Sequence, residues 1–405
     1  MKPLEGIKVI DLSQFAAAPA VGRIMGEWGA DVIKVETFAG DGNRRNGAMC
    51  KVPIVGDDEN PAFDVTSMFK RFACVNLKAP EGLEILDKLL STADVLIINF
   101  REDSAKRLGV DWETIHAKYP RIVHVRSTGF GDMGPMKDVG GFDLTAYASR
   151  GGVSASLRQA GGEPLNNVPC FGDLQQAMGL AAGTLAALIG REKTGQGDRV
   201  LGNLYNTALF MLSWGIQGVE GGNVYPVSRK DPATPTSNTY PTKDGKWIQL
   251  CGPTYDLFYN RIMKLIGRDD LVDDPRYRDW KTIQNKNRCG EVREIIEEGM
   301  LQRTAEEWEE RFREDDFPCQ RLFDFEDILA DEQAWACGAL RKVKYPSGNE
   351  HVQVSLPMRL DSVGLPEFEG HTAKRLGHDT REVLREYGYT DGEIDALVEK
   401  KVVVD

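Results

Sequence analysis

Phe171-Gly172-Asp173 leads into a run, Leu174 to Ile189, in which almost every residue after Gln176 is apolar or small. The pattern predicts a helix buried on most sides, with a carboxylate and a glycine at its amino end. A carboxylate at that place has two uses. It can cap, accepting hydrogen bonds from the free amides of the first turn, and Asp is a favoured residue for this. It can also react, as a nucleophile aimed at whatever the helix end faces. Cys170, close by, is a second candidate nucleophile and equally a small core residue. The local sequence leaves cap and reagent both open.

Other groupings lead away from chemistry. Gly129-Phe130-Gly131-Asp132-Met133-Gly134 matches G-x-G-x-x-G after a strand. A dinucleotide fingerprint must open a helix whose amino end receives the pyrophosphate. Here Pro135 and Gly140-Gly141 follow, so the glycines are expected to shape a tight loop. No Ser sits in a G-x-S-x-G elbow, and the five histidines (His116, His124, His351, His371, His378) show no ligand spacing. The seven cysteines (50, 74, 170, 251, 289, 319 and 337) include no C-x-x-C pair. They suit neither a zinc site nor a disulfide framework, and reduced thiols are expected. No metal is expected.

The elements that must position Asp173 follow an alternating pattern. Ile7 to Ile10, Asp31 to Val35, Cys74 to Leu77, Val95 to Ile98 and Ile122 to Val125 read as strands. Helices are expected from Pro19 to Trp28, from Pro80 to Leu90 and over 111–118, with Pro suited to the first turn. Strands alternating with helices predict an α/β fold around a Rossmann-like, largely parallel sheet. Ligands bind such sheets beyond the carboxyl ends of the strands, where Glu36, Lys78, Asn99 and Arg101 lie. A strand at Asp198 to Tyr205 and a helix over 206–219 follow the Asp173 helix. Pro226, Pro232, Pro235 and Pro241 then mark a linker. The expected organisation is a large domain over 1–205, a linker over 206–240, a small inserted α+β domain over 241–325, and a linker and return to the large domain over 326–405. In the small domain, Thr304 and Glu307 fit a capping box. The return should include a hairpin turning at Pro346 to Asn349 and two short helices, 380–387 and 391–400.

Bulk properties exclude several classes. At 405 residues, with 41% hydrophobic and 28% charged content, the chain is ordinary for a globular protein. A formal charge of −12 argues against a nucleic-acid partner while leaving room for a small anion held by local Lys and Arg. The longest apolar window, Thr207 to Val219, is too short to span a bilayer, and Met1 to Gly6 has no apolar signal core. A cytoplasmic protein with no membrane partner is expected.

Several segments, in order and spacing, resemble a class III coenzyme A transferase along nearly the whole chain. They are Pro3 to Gly6 with Val9 to Leu12, Gly29 to Glu36, Leu77 to Gly82, Asn99 to Arg101, Thr128 to Pro135 with Gly141 to Leu144, Gly172-Asp173, Lys193 to Gly197, Asp331 to Gln333 and His378 to Leu384. The resemblance implies the class III fold and an enzyme that moves coenzyme A between an acyl thioester and a free carboxylic acid. In the family, the residue matching Asp173 is the catalytic nucleophile. It forms a mixed anhydride and then an aspartyl thioester, which passes coenzyme A to the acceptor. A carboxylate with a reference pKa of about 3.9 needs no general base, but it must be desolvated and aligned. Asp173 is therefore expected to be largely uncapped. Oxyanion donors are expected from a first-turn helix amide or a glycine loop.

By positional match, coenzyme A should lie along Ala16, Ala17, Val75 to Lys78, Asn99, Phe100, Arg101 and Arg107, with Lys78 and Arg107 at phosphates. The thioester is substrate, and no cofactor is expected to stay bound. Some members carry a Gln where this chain has Ala16, so backbone amides are expected in place of a side-chain donor there. Some have a glycine run where Cys251 to Tyr255 holds one Gly, which argues against a very mobile lid. Family members form interlocked homodimers, with the linkers at 206–240 and 320–340 closing a ring.

Acyl-CoA racemases of the same fold use a His at Phe142, and an apolar ring cannot move a proton. A racemase and a non-catalytic acyl-CoA binding protein are the rival readings. Tyr147 to Ser154, Val224 to Pro226, Asp331 to Ala336 and Tyr345 to Glu350 most resemble the amino-acid fermentation branch. That branch exchanges coenzyme A between enoyl acids such as cinnamate and 2-hydroxy acids such as phenyllactate or 2-hydroxyisocaproate.

Overall fold

Val9-Ile10, Val32-Ile33 and Val95 to Ile98 are apolar, mostly β-branched runs buried on both faces, as interior parallel strands require. In the computed structural model, which describes residues 2–52, 54–56 and 58–405, they form the centre of a seven-stranded sheet. The chain runs through β1 (Lys8–Asp11), α1 (Ala17–Glu27), β2 (Asp31–Glu36), a 3-10 segment (Gly42–Cys50), α2 (Pro61–Ser67), β3 (Arg71–Val75) and α3 (Pro80–Ser91). It continues through β4 (Val95–Ile98), α4 (Glu102–Leu108), α5 (Trp112–Lys118), β5 (Val123–Thr128), a π-helical segment (Asp143–Arg150), α6 (Val153–Ser156), α7 (Phe171–Thr194), β6 (Arg199–Asn203), α8 (Leu204–Met211) and α9 (Ser213–Glu220). Three short strands, β7 (Thr239–Pro241), β8 (Trp247–Leu250) and β9 (Cys319–Arg321), precede a hairpin of β10 (Leu340–Lys344) and β11 (Glu350–Val354), and β12 (Val403–Val404) ends the fold.

The large sheet has the order β12-β3-β2-β1-β4-β5-β6, parallel except for β12, which runs antiparallel to β3. The chain leaves β1 outward in one direction to β2 and β3, and in the other to β4, β5 and β6. The β1/β4 boundary is thus the topological switch point, where a crevice opens beyond the carboxyl ends. Side chains alternate across the sheet. Ile10, Ile33 and Leu96 pack with α3 and the carboxyl-terminal Val383, Leu384 and Leu397. Val9, Val32 and Val95 pack with α1 and α7 on the other face. The small residues of α1 (Ala17, Ala18, Ala20) let α7 approach closely, and both helices begin at the carboxyl edge of the sheet.

Two compact units are present. The first runs to Val153 and adds Asn166–Ile216 and Glu332–Asp405; the second comprises Ser154–Leu165 and Gln217–Asp331. The carboxyl-terminal return is stitched to the sheet: the Phe72 amide donates to Asp379 Oδ2 at 2.7 Å and the Cys74 amide to Thr380 Oγ1 at 3.0 Å. The second unit has its own antiparallel sheet, β7-β8-β9, over a core that includes Tyr240, Ile248, Tyr259, Trp308 and Phe312. Its Thr304–Glu307 capping box forms in both directions, at 2.8 and 3.2 Å. The segment read as a linker over 206–240 holds more structure than its prolines suggest. It contains most of α8, all of α9 and the start of β7, with the expected helix broken at Leu212. No helix among the described residues is long and apolar enough to cross a membrane.

Behind the switch point lies a cluster of charge with almost no solvent. Asp11, Lys34, Asp41 and Lys70 are all buried. Lys34 Nζ meets Asp41 Oδ2 at 2.8 Å and donates to the Ser13 carbonyl at 2.8 Å. Lys70 Nζ meets Asp11 Oδ2 at 2.9 Å and the Pro19 carbonyl at 2.7 Å. Burial alone would raise the Asp11 carboxyl, but the two ammonium groups and the Ser13 hydroxyl hold it down at about 2. Removing one member strands a buried charge. Asp41→Ala is expected to cost about 3–5 kcal/mol in urea unfolding at neutral pH; a loss under about 1 kcal/mol would show that Lys34 finds water or another partner.

Candidate active site

The amino end of α7 is capped by a residue from another part of the chain. Cys170 enters the helix in the left-handed region (φ 64°, ψ 12°), and its side chain makes no cap. Asp143, at the head of the π-helical segment, instead accepts the Gly172 and Asp173 amides on Oδ1, at 2.8 and 3.2 Å. The Phe171 amide goes to the Val168 carbonyl and the Leu174 amide to that of Cys170. Asp173 therefore has no capping duty, and its carboxylate is left with the neighbouring Cys170 thiol as a hydrogen-bond donor.

Two close approaches make this possible. A Cβ on Gly172 would lie 2.2 Å from Tyr147 Cγ and 2.5 Å from Asp143 Oδ1, so only glycine admits the cap. A Cβ on Gly129 would lie 2.5 Å from the Gly141 Cα. The two backbones cross there and deliver Phe142-Asp143 to the helix end. The glycine string read above as a tight loop serves this crossing, and no helix follows it before Asp143.

The arrangement tunes three groups. Burial and, second, the Asp143 charge push the Asp173 carboxyl up to about 7, against the opposing Cys170 hydrogen bond. Burial also raises Asp143, although the helix amides oppose it. Burial and the two carboxylates push the Cys170 thiol up to about 12. Cys170 thus stays a thiol, and Asp173 is a carboxylate more basic than usual, poised to ionise near neutrality. Of the two nucleophiles the sequence offers, only Asp173 is armed.

Expected ligand residues fall into two groups. Ala16, Ala17, Asn99, Phe100 and Arg101 come together at the switch point. Asn99 is committed there: its Oδ1 accepts the Gln14 amide at 3.1 Å and its Nδ2 donates to the Gln14 carbonyl at 2.7 Å, fixing the loop before α1. Ala16 is the residue before α1, and the amides of Ala17 and Ala18 open that helix with no acceptor among the described residues. Arg101 is exposed, with its guanidinium against Gly140. Val75 and Lys78 leave β3, two strands from β1. Val75 is buried in the core and pairs with Val403, so its side chain meets no solvent, whereas Lys78 is exposed. Arg107 is exposed on α4, donating to Ser104 at 2.9 Å.

The α7 first-turn amides, one of the two expected oxyanion donor sets, are occupied by Asp143 and Val168. Sequence reasoning gave Asp143 no role, because nothing local distinguishes it from any loop Asp.

The raised Asp173 carboxyl has a sign for stability. The folded value lies above the ordinary 3.8, so the folded state holds the proton between the two. The associated stability is complete below about 4 and is lost as pH rises through 7. Asp173→Asn is expected to exceed the parent in stability at pH 8 by on the order of 2 kcal/mol, after discounting for partial exposure, and by much less at pH 4. Urea unfolding at both pH values checks this; an equal difference at the two would contradict the raised carboxyl.

Comparison with known proteins identifies the family. The model of CoA-transferase family III matches residues 4–372. The chain is 42% identical over 402 residues to the cinnamoyl-CoA:phenyllactate CoA-transferase of Clostridium sporogenes, covering 98% of this chain and 97% of that one. It is 40% identical over 400 residues to the (R)-2-hydroxy-4-methylpentanoate CoA-transferase of Clostridioides difficile, covering 99% of each. Among solved structures, a CAIB/BAIF family protein from Brucella suis shares the fold with a TM-score of 0.79 at 24% identity, covering 95% of this chain and 99% of that one. With such similarity running almost end to end, the chain is an enzyme that belongs to CoA-transferase family III.

Proposed function

We propose that the enzyme exchanges coenzyme A between an enoyl thioester of the cinnamoyl type and a 2-hydroxy acid of the phenyllactate type, with Asp173 as nucleophile. The observation that carries the reading is the displaced cap: Asp143 takes the helix amides and leaves the Asp173 carboxylate uncapped. The substrate class is supported by the activity named for the Clostridium sporogenes relative. The Clostridioides difficile relative supports a second acceptor class, branched 2-hydroxy acids.

In this reading an Asp173 oxygen attacks the thioester carbonyl, the C–S bond breaks, and coenzyme A leaves as thiolate from a mixed anhydride. The thiolate attacks the aspartyl carbonyl and releases the first acid, leaving an aspartyl thioester. The acceptor carboxylate attacks that thioester, and the returning thiolate then attacks the new acyl carbonyl and frees Asp173. No step consumes a proton, so no general base is needed. Burial makes the carboxylate a stronger nucleophile, and unpaired amides such as those opening α1 suit the developing oxyanions.

Coenzyme A would run along Ala16, Ala17 and Asn99 to Arg101, with Lys78 and Arg107 meeting phosphates. The protein would act as a cytoplasmic homodimer. The exposed Phe210, Met211 and Trp214 on α8 and α9 support an apolar interface, and Trp214 is 92% exposed. The racemase reading loses ground because Phe142, at the His position, carries no titratable group.

Mixing the protein with cinnamoyl-CoA and trapping with hydroxylamine or borohydride should mark the peptide that holds Asp173, by intact mass and peptide mapping. Asp173→Asn should lose the mark and at least about 10³-fold in kcat. A mark elsewhere, or an active Asn variant, would sink the assignment. Because Asp173 attacks only when ionised, kcat/KM should rise with pH through about 7 and level off above it. Asp143→Asn keeps an acceptor oxygen for the helix but removes the charge. It should move that limb to lower pH by about one pH unit. An unmoved limb would mean that the titrating group is not Asp173.

A further inference from the structure

Two exposed rings meet where the loop after β1 approaches the segment that caps α7. Phe15, in the loop between β1 and α1, is 39% exposed, and Phe142, directly before Asp143, is 61% exposed. Their rings meet edge to face, with centroids 5.9 Å apart and planes at 84°. Asp143 in turn holds the Asp173 amide at 3.2 Å, so one hydrogen bond and one peptide link separate the Phe142 backbone from that of the nucleophile.

Phe15 is held in place against its own backbone preference. It has φ 68°, in the left-handed region that Gly or Asn would occupy at lower cost. Its amide donates to Asp41 Oδ1 at 2.9 Å, and the other oxygen of that carboxylate is tied to the buried Lys34. Its ring lies over Gly42, where an added Cβ would come within 2.8 Å of the ring. A buried ion pair, a strained backbone and a glycine therefore fix the position of a ring that remains more than a third in solvent. Burying the ring itself is not the purpose. Strain maintained by surrounding structure is characteristic of sites that position a ligand.

We infer that Phe15 and Phe142 form the acyl-binding corner of the active site and select donors that carry a flat aromatic group. This inference rests on Asp173 being the nucleophile and deepens that reading. An aryl group entering the corner gains edge and face contacts with two preset rings. A short straight chain covers little of either ring. A dicarboxylic donor would bring its free carboxylate against apolar faces, where nothing on either ring can pair with it.

The test compares kcat/KM for cinnamoyl-CoA and butyryl-CoA, with one common acceptor acid, in the parent, Phe142→Ala, Phe142→Tyr and Phe15→Gly. Phe15→Gly removes the ring while accommodating the left-handed backbone, so misfolding does not confuse its result. The cinnamoyl-to-butyryl ratio should fall about tenfold in Phe142→Ala and Phe15→Gly, and Phe142→Tyr, which keeps the ring, should hold it. Equal losses for both donors, or an unchanged ratio, would overturn the corner while leaving Asp173 in its role. A parent enzyme that forms no Asp173 adduct with either thioester would overturn both.

Discussion

An α-helix cannot begin in a protein interior without something accepting its first amides, and at α7 that requirement decides which of two carboxylates is left uncapped. Two aspartates stand at the helix mouth. Asp143 takes the Gly172 and Asp173 amides and is thereby fixed as an acceptor. Asp173, inside the first turn, is released. Had Asp173 been the cap, its oxygens would be spent on amides and its carboxyl would be stabilised as an anion, the opposite of what a nucleophile needs. The cap also contributes electrostatically, since its charge and the surrounding burial together lift Asp173 to about 7.

The cap depends on a chain of close packing that starts far from it in sequence. The Gly129–Gly141 crossing brings Asp143 in, Gly172 makes room for it, and Tyr147, whose hydroxyl donates to Gln175 at 2.8 Å, holds the π-helical segment against the second turn of α7. On the other side of the switch point, the buried Asp11, Lys34, Asp41 and Lys70 cluster fixes the loop from Ser13 to Phe15. The Phe15–Phe142 contact joins the two halves. The buried charges are therefore better understood as setting the shape of one loop than as a source of net stability, because burying paired ions roughly breaks even.

The fold was largely legible because its signals are local and periodic. Strands with apolar residues on both faces, alternating with helices, prescribe a parallel sheet, and the Pro and Gly punctuation places most helix ends within a few residues. What escaped notice has irregular geometry or long-range causes. The 3-10 segment Gly42–Cys50 and the π-helical segment Asp143–Arg150 have no sequence period of their own. β12 is two residues long and is a strand only through its pairing with β3, beside which the Asn76 amide donates to the Val402 carbonyl. At the site, Asp173 stood out because an acidic residue interrupts the start of an apolar helix. Asp143 did not, because its role arises from a contact 30 residues distant. Asn99 was legible as a strand-exit residue, but its commitment to the Gln14 backbone was not.

Cys170 makes the selection between nucleophiles clearest. A thiolate is intrinsically the better nucleophile toward a thioester, and it lies beside Asp173 at the same helix end. Helix amino ends usually lower a thiol's pKa, which would arm it. Here Asp143 has drawn the first amides to itself, so the helix end presents Cys170 with a carboxylate in place of free N–H groups. With Asp173 on its other side and little water, the thiol is pushed up to about 12 and remains protonated through the neutral range in which Asp173 ionises. One capping carboxylate therefore does two things at once: it leaves the Asp173 carboxylate uncapped and keeps Cys170 a thiol, which is what the proposed nucleophile requires of its surroundings.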